Sequence, residues 1–427
     1  MASRRVAYSS RLSVSWPWSQ SARRQRSFNS LRLQSRSFQT DGESRAARPV
    51  VPDFAFAFDI DGVLIRSAKP IPHASTTLQY LQRHSIPFIL LTNGGGKHES
   101  ERVADLSSRL SLSLSTSMFI QSHTPFAELV HGENSLRDKC ILVMGGEGSR
   151  CRDVAEAYGF TNVVTPGDIY AAYPEIWPFS GPFKDHYYGK FARPLPKPIN
   201  PENPEESLKI DAVFVYNDPR DWGLDAQILM DVMLSSRGIM GTYSAKNGDT
   251  SLPNWGYLQD GQPTLYFSNP DLLWAASYHL SRLGQGGFRA AVDGLWKALT
   301  TSKDHPSPPE LYKKVVGKPF RETYEYAEKQ LLRHRDTLFS KDEHRRQEPP
   351  PLKRVYMVGD NPESDIRGAN SFESPRGVEW ISLLTRTGVY KDRDGERPTW
   401  EPRAIVDDVK AAVQYALKDS QWPEPLE

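Results

Sequence analysis

An α/β architecture built on a mainly parallel sheet is the fold class that these 427 residues predict. Three observations carry it. Uninterrupted apolar segments at 54–58 (FAFAF), 87–91 (PFILL) and 355–358 (VYMV) have the length and continuity of strands buried on both faces. Segments with helical apolar spacing stand between them, and strand, helix, strand within about forty residues is the βαβ unit of a parallel sheet. Finally, 38% hydrophobic and 25% charged side chains over this length suffice for a core domain and a second, smaller one.

Taken in order, the strand at 54–58 ends on Asp59-Ile60-Asp61, and residues 76–84 place Leu78 and Leu81 on one helical face before the strand at 87–91. Residues 98–110 read as a helix. CILVMGG, from Cys140, reads as a strand feeding a helix near 152–158. Between 173 and 207 eight prolines alternate with Trp177, Phe179, Phe183, Tyr187 and Tyr188, which predicts an irregular excursion. DAVFVYND at 211–218 is a strand, followed by a helix near 225–236 and a polar, glycine-bearing piece at 241–263. TLYFSNPD at 264–271 predicts a short strand closed by a turn, then an alanine- and leucine-containing helix. Residues 322–334 are helical, 340–353 form a charged, proline-capped linker, and 354–360 is the last strand read.

The first forty residues differ from the rest, with eight arginines, eleven serines, no lysine and no acid before Asp41. This composition, punctuated by Leu12, Trp16, Trp18, Phe28, Leu31 and Leu33, predicts a mitochondrial transit peptide over residues 1–47 rather than a disordered basic tail for nucleic acid or lipid. Removing eight positive charges from a formal net +1 leaves about −7, so the body carries no general attraction for polyanions and nucleic-acid binding is not expected. No apolar run reaches the length of a membrane span. Two cysteines, Cys140 and Cys151, suit a reducing compartment, and no Cys/His cluster suggests zinc.

Ligands of open α/β sheets bind beyond the carboxyl ends of the strands. Three strand ends carry related polar groups: Asp59 and Asp61; Thr92 and Asn93; and Asp360, Asn361 and Asp365. Carboxylates gathered at one place raise each other's pKa unless a cation offsets them. An all-oxygen set of this kind suits Mg²⁺, which commonly bridges to a substrate phosphate. Lys318, in the turn VVGKPF, supplies a cation for phosphoryl oxygens.

The ordered set DxDGV (59–63), Thr92-Asn93, Gly317-Lys318-Pro319 and GDxxxxD (359–365) resembles the haloacid dehalogenase superfamily of phosphohydrolases. More than two hundred residues separate Thr92 from Lys318, where subfamily IIA members carry an inserted α/β cap. CILVMGGEG, DAVFVYNDPRDW and SNPD look like that cap's entry, strand and return, and TNGGG is similar to the mitochondrial cat eye syndrome critical region family. The resemblance implies a Rossmann-like core at 48–139 and 268–427, a cap at 140–267, and pairing into a homodimer through the cap.

By the same resemblance Asp59 is the nucleophile, forming an aspartyl-phosphate, and Asp61 is the acid and base. Thr92, Asn93 and Lys318 bind the phosphoryl group. Asp59, the Asp61 carbonyl and Asp360 hold Mg²⁺, with Asn361 and Asp365 as further ligands or their supports. The amides of residues 94–96 are candidates to face an anion. In the cap, Asp218, Arg220, Asp221 and Trp222 are candidates for substrate contact or a solvated loop, whereas His73, His98 and His123 read as surface or packing residues.

The expected activity is mitochondrial, matrix-located, Mg²⁺-dependent hydrolysis of a small phosphorylated metabolite or lipid precursor, with glycerophospholipid metabolism as its setting. A phosphomutase and a non-catalytic interaction protein that keeps the fold are the alternatives. Asp61 argues against dehalogenation, which needs no protonated leaving group.

Overall fold

The computed structural model describes residues 51–67, 69–183, 188–274, 276, 278–302, 307–340, 349–392 and 397–427. The expected transit peptide, residues 184–187 of the proline-rich excursion and most of the 340–353 linker lie outside them. All that follows concerns the compact unit Val50–Glu427.

The chain first forms β1 (Phe54–Phe58), a small hairpin of β2 (Ile65–Arg66) and β3 (Lys69–Pro70), α1 (Ala74–Arg83), β4 (Phe88–Leu91), α2 (Glu99–Leu110) and β5 (Phe119–Ile120). It continues through β6 (Cys140–Met144), α3 (Arg150–Tyr158), β7 (Asn162–Val164), α4 (Pro166–Ala172), β8 (Ala212–Val215), α5 (Trp222–Leu234) and β9 (Thr264–Phe267). A hairpin of β10 (Leu273–Trp274) and β11 (Arg282–Leu283) precedes α6 (Gln285–Thr300) and β12 (Lys313–Val315). The remainder is α7 (Arg321–Ser340), β13 (Arg354–Gly359), α8 (Arg367–Ser371), β14 (Glu379–Thr385), β15 (Ala404–Val406) and α9 (Val409–Asp419).

Two parallel sheets organise these elements. The first has the order β15-β14-β13-β1-β4-β5 and the second β12-β9-β8-β6-β7. The FAFAF sequence explains how β1 centres the first sheet. Period-two alternation sends Phe54, Phe56 and Phe58 to one face, where they join Leu78, Leu81, Leu106 and Val413 from the helices. Ala55 and Ala57 face the other way, and their small side chains admit Tyr324, Ala327 and Leu331 of α7. Each fully buried phenylalanine contributes about 1.5–3 kcal/mol.

The α/β class with parallel sheets stands as read. The limit expected at residue 267 does not follow the second sheet, because β12 pairs in parallel with β9 and closes that sheet at 313–315. Phe288, Val292 and Trp296 of α6 are buried in the same apolar cluster as β8 and α5. The helix expected directly after 271 is likewise displaced: 272–283 holds the β10–β11 hairpin, and α6 starts only at Gln285. β14 and β15 extend the first sheet beyond the last strand read from sequence, and α9 follows them. Residues 174–176, 178–183 and 204–206 are short 3₁₀ segments of one or two turns, as an irregular proline-rich excursion requires.

Candidate active site

In the first sheet the chain runs outward from β1 through β4 and β5 on one side, and through β13, β14 and β15 on the other. The switch point therefore lies between β1 and β13, and their carboxyl ends open a crevice of the kind in which α/β sheets take ligands. β1 delivers Asp59 there, β13 delivers Asp360, β4 delivers Thr92 and Asn93, and the turn after β12 brings in Lys318. All five, with Asp61 and Asp365, line one cleft of about 580 Å³ between the two sheets' loop ends.

Lys318 is its electrostatic centre. The residue is 1% exposed, and its ammonium donates to Asp59 Oδ1 at 2.5 Å and lies 2.6 Å from Asp365 Oδ1. Asp365 Oδ2 accepts from the amides of Asp360 and Asn361 at 3.1 and 3.0 Å, which fixes the start of the turn after β13. Asp360 Oδ2 accepts from the Val389 amide at 2.5 Å. Two glycines make room for that carboxylate: a Cβ at Gly388 would fall 1.7 Å from Asp360 Oδ2, and one at Gly62, whose φ is +104°, 2.4 Å.

Three carboxylates are thus buried together beside a single ammonium, which pairs with Asp59 and Asp365. Burial raises the Asp360 pKa to about 7, with Asp365 adding to it. Burial likewise lifts Asp59 well above the usual range; Lys318 opposes this while Asp365 and Asp360 reinforce it. Burial works against the Lys318 ammonium too, yet Asp365 and Asp59 outweigh it and raise its pKa. Oxygens of Asp59, Asp360 and Asp365 lie within 4.8 Å of one another. This hard, anionic, all-oxygen donor set fits Mg²⁺ and leaves a charge excess that a divalent cation offsets. Asp365, expected as a further ligand or support, belongs to the carboxylate cluster itself.

Asp61 stands apart. Its side chain is 42% exposed in the cleft, with Arg102 Nη2 at 3.8 Å from Oδ2. Removal from bulk water raises its pKa, with Arg102 and Lys318 pulling the other way. Thr92 Oγ1 accepts from the Gly94 amide at 2.9 Å, which leaves the hydroxyl proton to be donated into the cleft.

Asn93 is engaged differently from the expectation. Its Oδ1 accepts from the Lys318 amide at 2.7 Å, and its Nδ2 donates to the Lys318 carbonyl at 2.8 Å and to Asp271 Oδ2 at 3.0 Å. With both ends of its side-chain amide committed, Asn93 positions Lys318 from the wall of the cleft. Of the 94–96 amides, that of Gly96 donates to His123 Nε2 at 3.1 Å.

Of the expected surface or packing roles His123 takes the second, being fully buried. Because Nε2 accepts from Gly96, its proton sits on Nδ1, which donates to the Tyr158 hydroxyl at 2.9 Å; Tyr158 in turn donates to Glu99. This relay anchors the glycine loop between Thr92 and α2. Asp271 was missed as well. It reads as part of an ordinary turn in SNPD, yet burial raises its pKa to about 7 against the pull of Lys318 and Asn93. Asp218, Arg220 and Trp222 do line the cleft, whereas Asp221 caps α5 by accepting from the Leu224 amide.

The fold and this constellation define an α/β enzyme with its reactive carboxylates at a switch point. Residues 56–161 match the family model of haloacid dehalogenase-like hydrolases, and residues 315–412 that of HAD-hydrolase-like proteins. A mitochondrial hydrolase of Saccharomyces cerevisiae is 40% identical over 375 residues, covering 85% of this chain and 95% of that protein. A cardiolipin synthase (CMP-forming)/mitochondrial hydrolase fusion protein of Schizosaccharomyces pombe is 38% identical over 388 residues, 90% of this chain, which spans only 56% of the fusion's length. Among solved structures, a hypothetical protein of Pyrococcus horikoshii has a TM-score of 0.50 at 20% identity, over 85% of this chain and 99% of that one. The chain belongs to the haloacid dehalogenase-like hydrolases. Among the described residues no helix is long and apolar enough to cross a membrane.

Proposed function

We propose that this hydrolase is a Mg²⁺-dependent phosphatase of mitochondria that cleaves phosphate monoesters through an aspartyl-phosphate on Asp59. The observation that carries it is the grouping of Asp59, Asp360 and Asp365 around Lys318, with Asp61 beside them in the same cleft.

In this reading Asp59, Asp360 and Asp365 hold Mg²⁺, which supplies charge neutralisation for the phosphoryl oxygens and the crowded carboxylates. Asp59 attacks phosphorus. Lys318, held by Asn93, and the Thr92 hydroxyl donate to the phosphoryl oxygens, stabilising charge as it develops. Asp61, whose pKa is raised by its partial withdrawal from water against the pull of Arg102 and Lys318, gives its proton to the leaving oxygen. It then takes one from the water that hydrolyses the aspartyl-phosphate. The wall provided by Asp218, Arg220 and Trp222 meets the alcohol part of the substrate.

A substrate from glycerophospholipid synthesis is the finer proposal, supported by the printed name of the Schizosaccharomyces pombe relative, which joins a cardiolipin synthase to a mitochondrial hydrolase. Location in mitochondria is supported by the names of both curated relatives. Pairing of two copies through the inserted layer is supported by Leu295 and Leu299, exposed at 43% and 56% on α6. The test is hydrolysis of p-nitrophenyl phosphate and a panel of phosphate esters, glycerol-based ones included, by the full chain with Mg²⁺. Asp59-dependent phosphate release supports the reading; release that persists in Asp59→Asn, or none from any ester, ends it.

A further inference from the structure

Half of the large apolar side chains that stand exposed among the described residues belong to one stretch, 272–283. They are Leu272, Leu273, Trp274, Tyr278, Leu280 and Leu283, each 42–58% exposed on or beside the β10–β11 hairpin. Exposure concentrated in this way marks a surface that something else covers. Backbone pairing fixes the hairpin's base. Leu273 pairs with Leu283 and Trp274 with Arg282, while the Gly284 amide donates to the Leu272 carbonyl and the Gly286 amide to the Asp271 carbonyl, both at 2.9 Å. At Gly287 of α6 a Cβ would meet the Trp222 ring at 3.2 Å and the Leu283 side chain at 3.3 Å, so both lie against the bare glycine.

Where this surface stands decides its occupant. Leu273, Trp274 and Leu283 line the same cleft of about 580 Å³ as Asp59 and Lys318, and Trp222 lines it with them. A protein partner or a second copy seated on these side chains would close the cleft to substrate. The part of the substrate beyond its phosphoryl group covers them without that cost. Small-molecule sites of about 300–1,000 Å³ hold a whole ligand, so a cleft of this volume takes the alcohol as well as the phosphate. Charge narrows the choice further. No acid occurs from 272 to 292, and Arg282, the one formally charged residue of the hairpin, also lines the cleft, its guanidinium 4.5 Å from the centre of the Tyr278 ring. Such a wall suits an apolar group attached to an anion, not to a cation.

We propose that the ester taken by this cleft is amphiphilic, its alcohol carrying an aliphatic chain that lies on Leu273, Trp274, Leu283 and Trp222, and that these residues set a preference for chain length. For turnover the inference rests on the phosphatase reading; for binding it rests on the cleft alone. A fully buried methylene strengthens binding about fourfold, and one lying on a half-open wall about twofold. The chain is held alike in the ground and transition states, so its contribution falls in KM and not in kcat.

The test measures, by calorimetry on the full chain with Mg²⁺, the binding of ethyl, butyl, hexyl and octyl phosphonate, whose carbon–phosphorus bond resists hydrolysis, and kcat/KM for the matching alkyl phosphates. The variants are the double Leu273→Ser with Leu283→Ser, Trp274→Ser alone, and Leu280→Ser, an exposed hairpin residue that is not among those lining the cleft. The readout is the ratio between chain lengths within each protein, which a loss of folded fraction leaves unmoved; if circular dichroism shows the double variant unfolded, Trp274→Ser decides. Affinity should rise about tenfold or more from butyl to octyl in wild type and Leu280→Ser, and about threefold or less in the cleft variants, with kcat/KM following through KM. Binding indifferent to chain length, a gain as steep in the cleft variants as in wild type, or a gain that Leu280→Ser abolishes equally, overturns the proposal. Chain-length-dependent binding by a chain that hydrolyses none of the esters would sink the phosphatase reading and leave the apolar subsite standing; hydrolysis of short esters with no gain from longer ones does the reverse.

Discussion

Asn93 grips Lys318 by both of its backbone polar groups, accepting from the amide at 2.7 Å and donating to the carbonyl at 2.8 Å. The contact joins the end of β4 to the turn that leaves the second sheet, so it sets where the Lys318 ammonium stands relative to Asp59. Replacing Asn93 with Asp swaps the donor for a carboxylate facing the Lys318 carbonyl and Asp271. Expected costs are about 1–3 kcal/mol of stability and a fall in kcat larger than any change in KM, read by denaturant unfolding and steady-state hydrolysis. An unaltered kcat would show that Lys318 needs no such clamp.

Gly388→Ala should damage the carboxylate cluster while leaving the fold. The added methyl would lie 1.7 Å from Asp360 Oδ2, so that carboxylate must leave the Val389 amide. The expected outcome is a higher Mg²⁺ requirement for hydrolysis with a near-native circular dichroism spectrum. An unchanged Mg²⁺ dependence would place the cation elsewhere.

Metal removal should lower stability measurably. Asp59, Asp360 and Asp365 face one ammonium, and a cation that binds only the folded chain stabilises it by mass action. Mg²⁺ added to EDTA-treated protein should raise the melting temperature, and Asp360→Asn should blunt that rise. Equal responses from both proteins would contradict the assignment.

His123 should make stability fall with acid. Burial holds its pKa down at about 4 against an ordinary 6.5, with Glu99 opposing and His98 adding. The unfolded imidazole therefore takes a proton near pH 6.5, the folded one only near pH 4. Stability contributed by the neutral ring is present above 6.5 and drains away as pH falls through that window, by about 3 kcal/mol in all. Denaturant unfolding across it should show a slope that His123→Gln reduces.

Much of the site is legible in the sequence because it sits at strand ends. Asp59, Thr92 and Asp360 follow apolar runs that announce buried parallel strands, and Lys318 lies in a marked turn. What the sequence hides depends on contacts between distant segments. The closing of the Asn93 side-chain amide on Lys318, a residue far along the chain, has no local signature. Asp271 has the local signature of a turn, and only burial beside Lys318 gives it a raised pKa. The histidine relay joins the 121–124 loop, α2 and α3, which no local spacing reveals. EWISLLT in β14 did carry a strand signal, whereas the three-residue β15 shows too little periodicity to be read.

Phosphorylation of Asp59 is the step on which the proposed reaction turns. Enzyme in excess over a turned-over ester, with Mg²⁺, is quenched in acid within a single turnover and its peptides are weighed by mass spectrometry. A phosphoryl group on the peptide containing Asp59, absent from Asp59→Asn, is the predicted result. Phosphate release at the wild-type rate by Asp59→Asn, or a turnover during which no phosphorylated peptide forms, would contradict it.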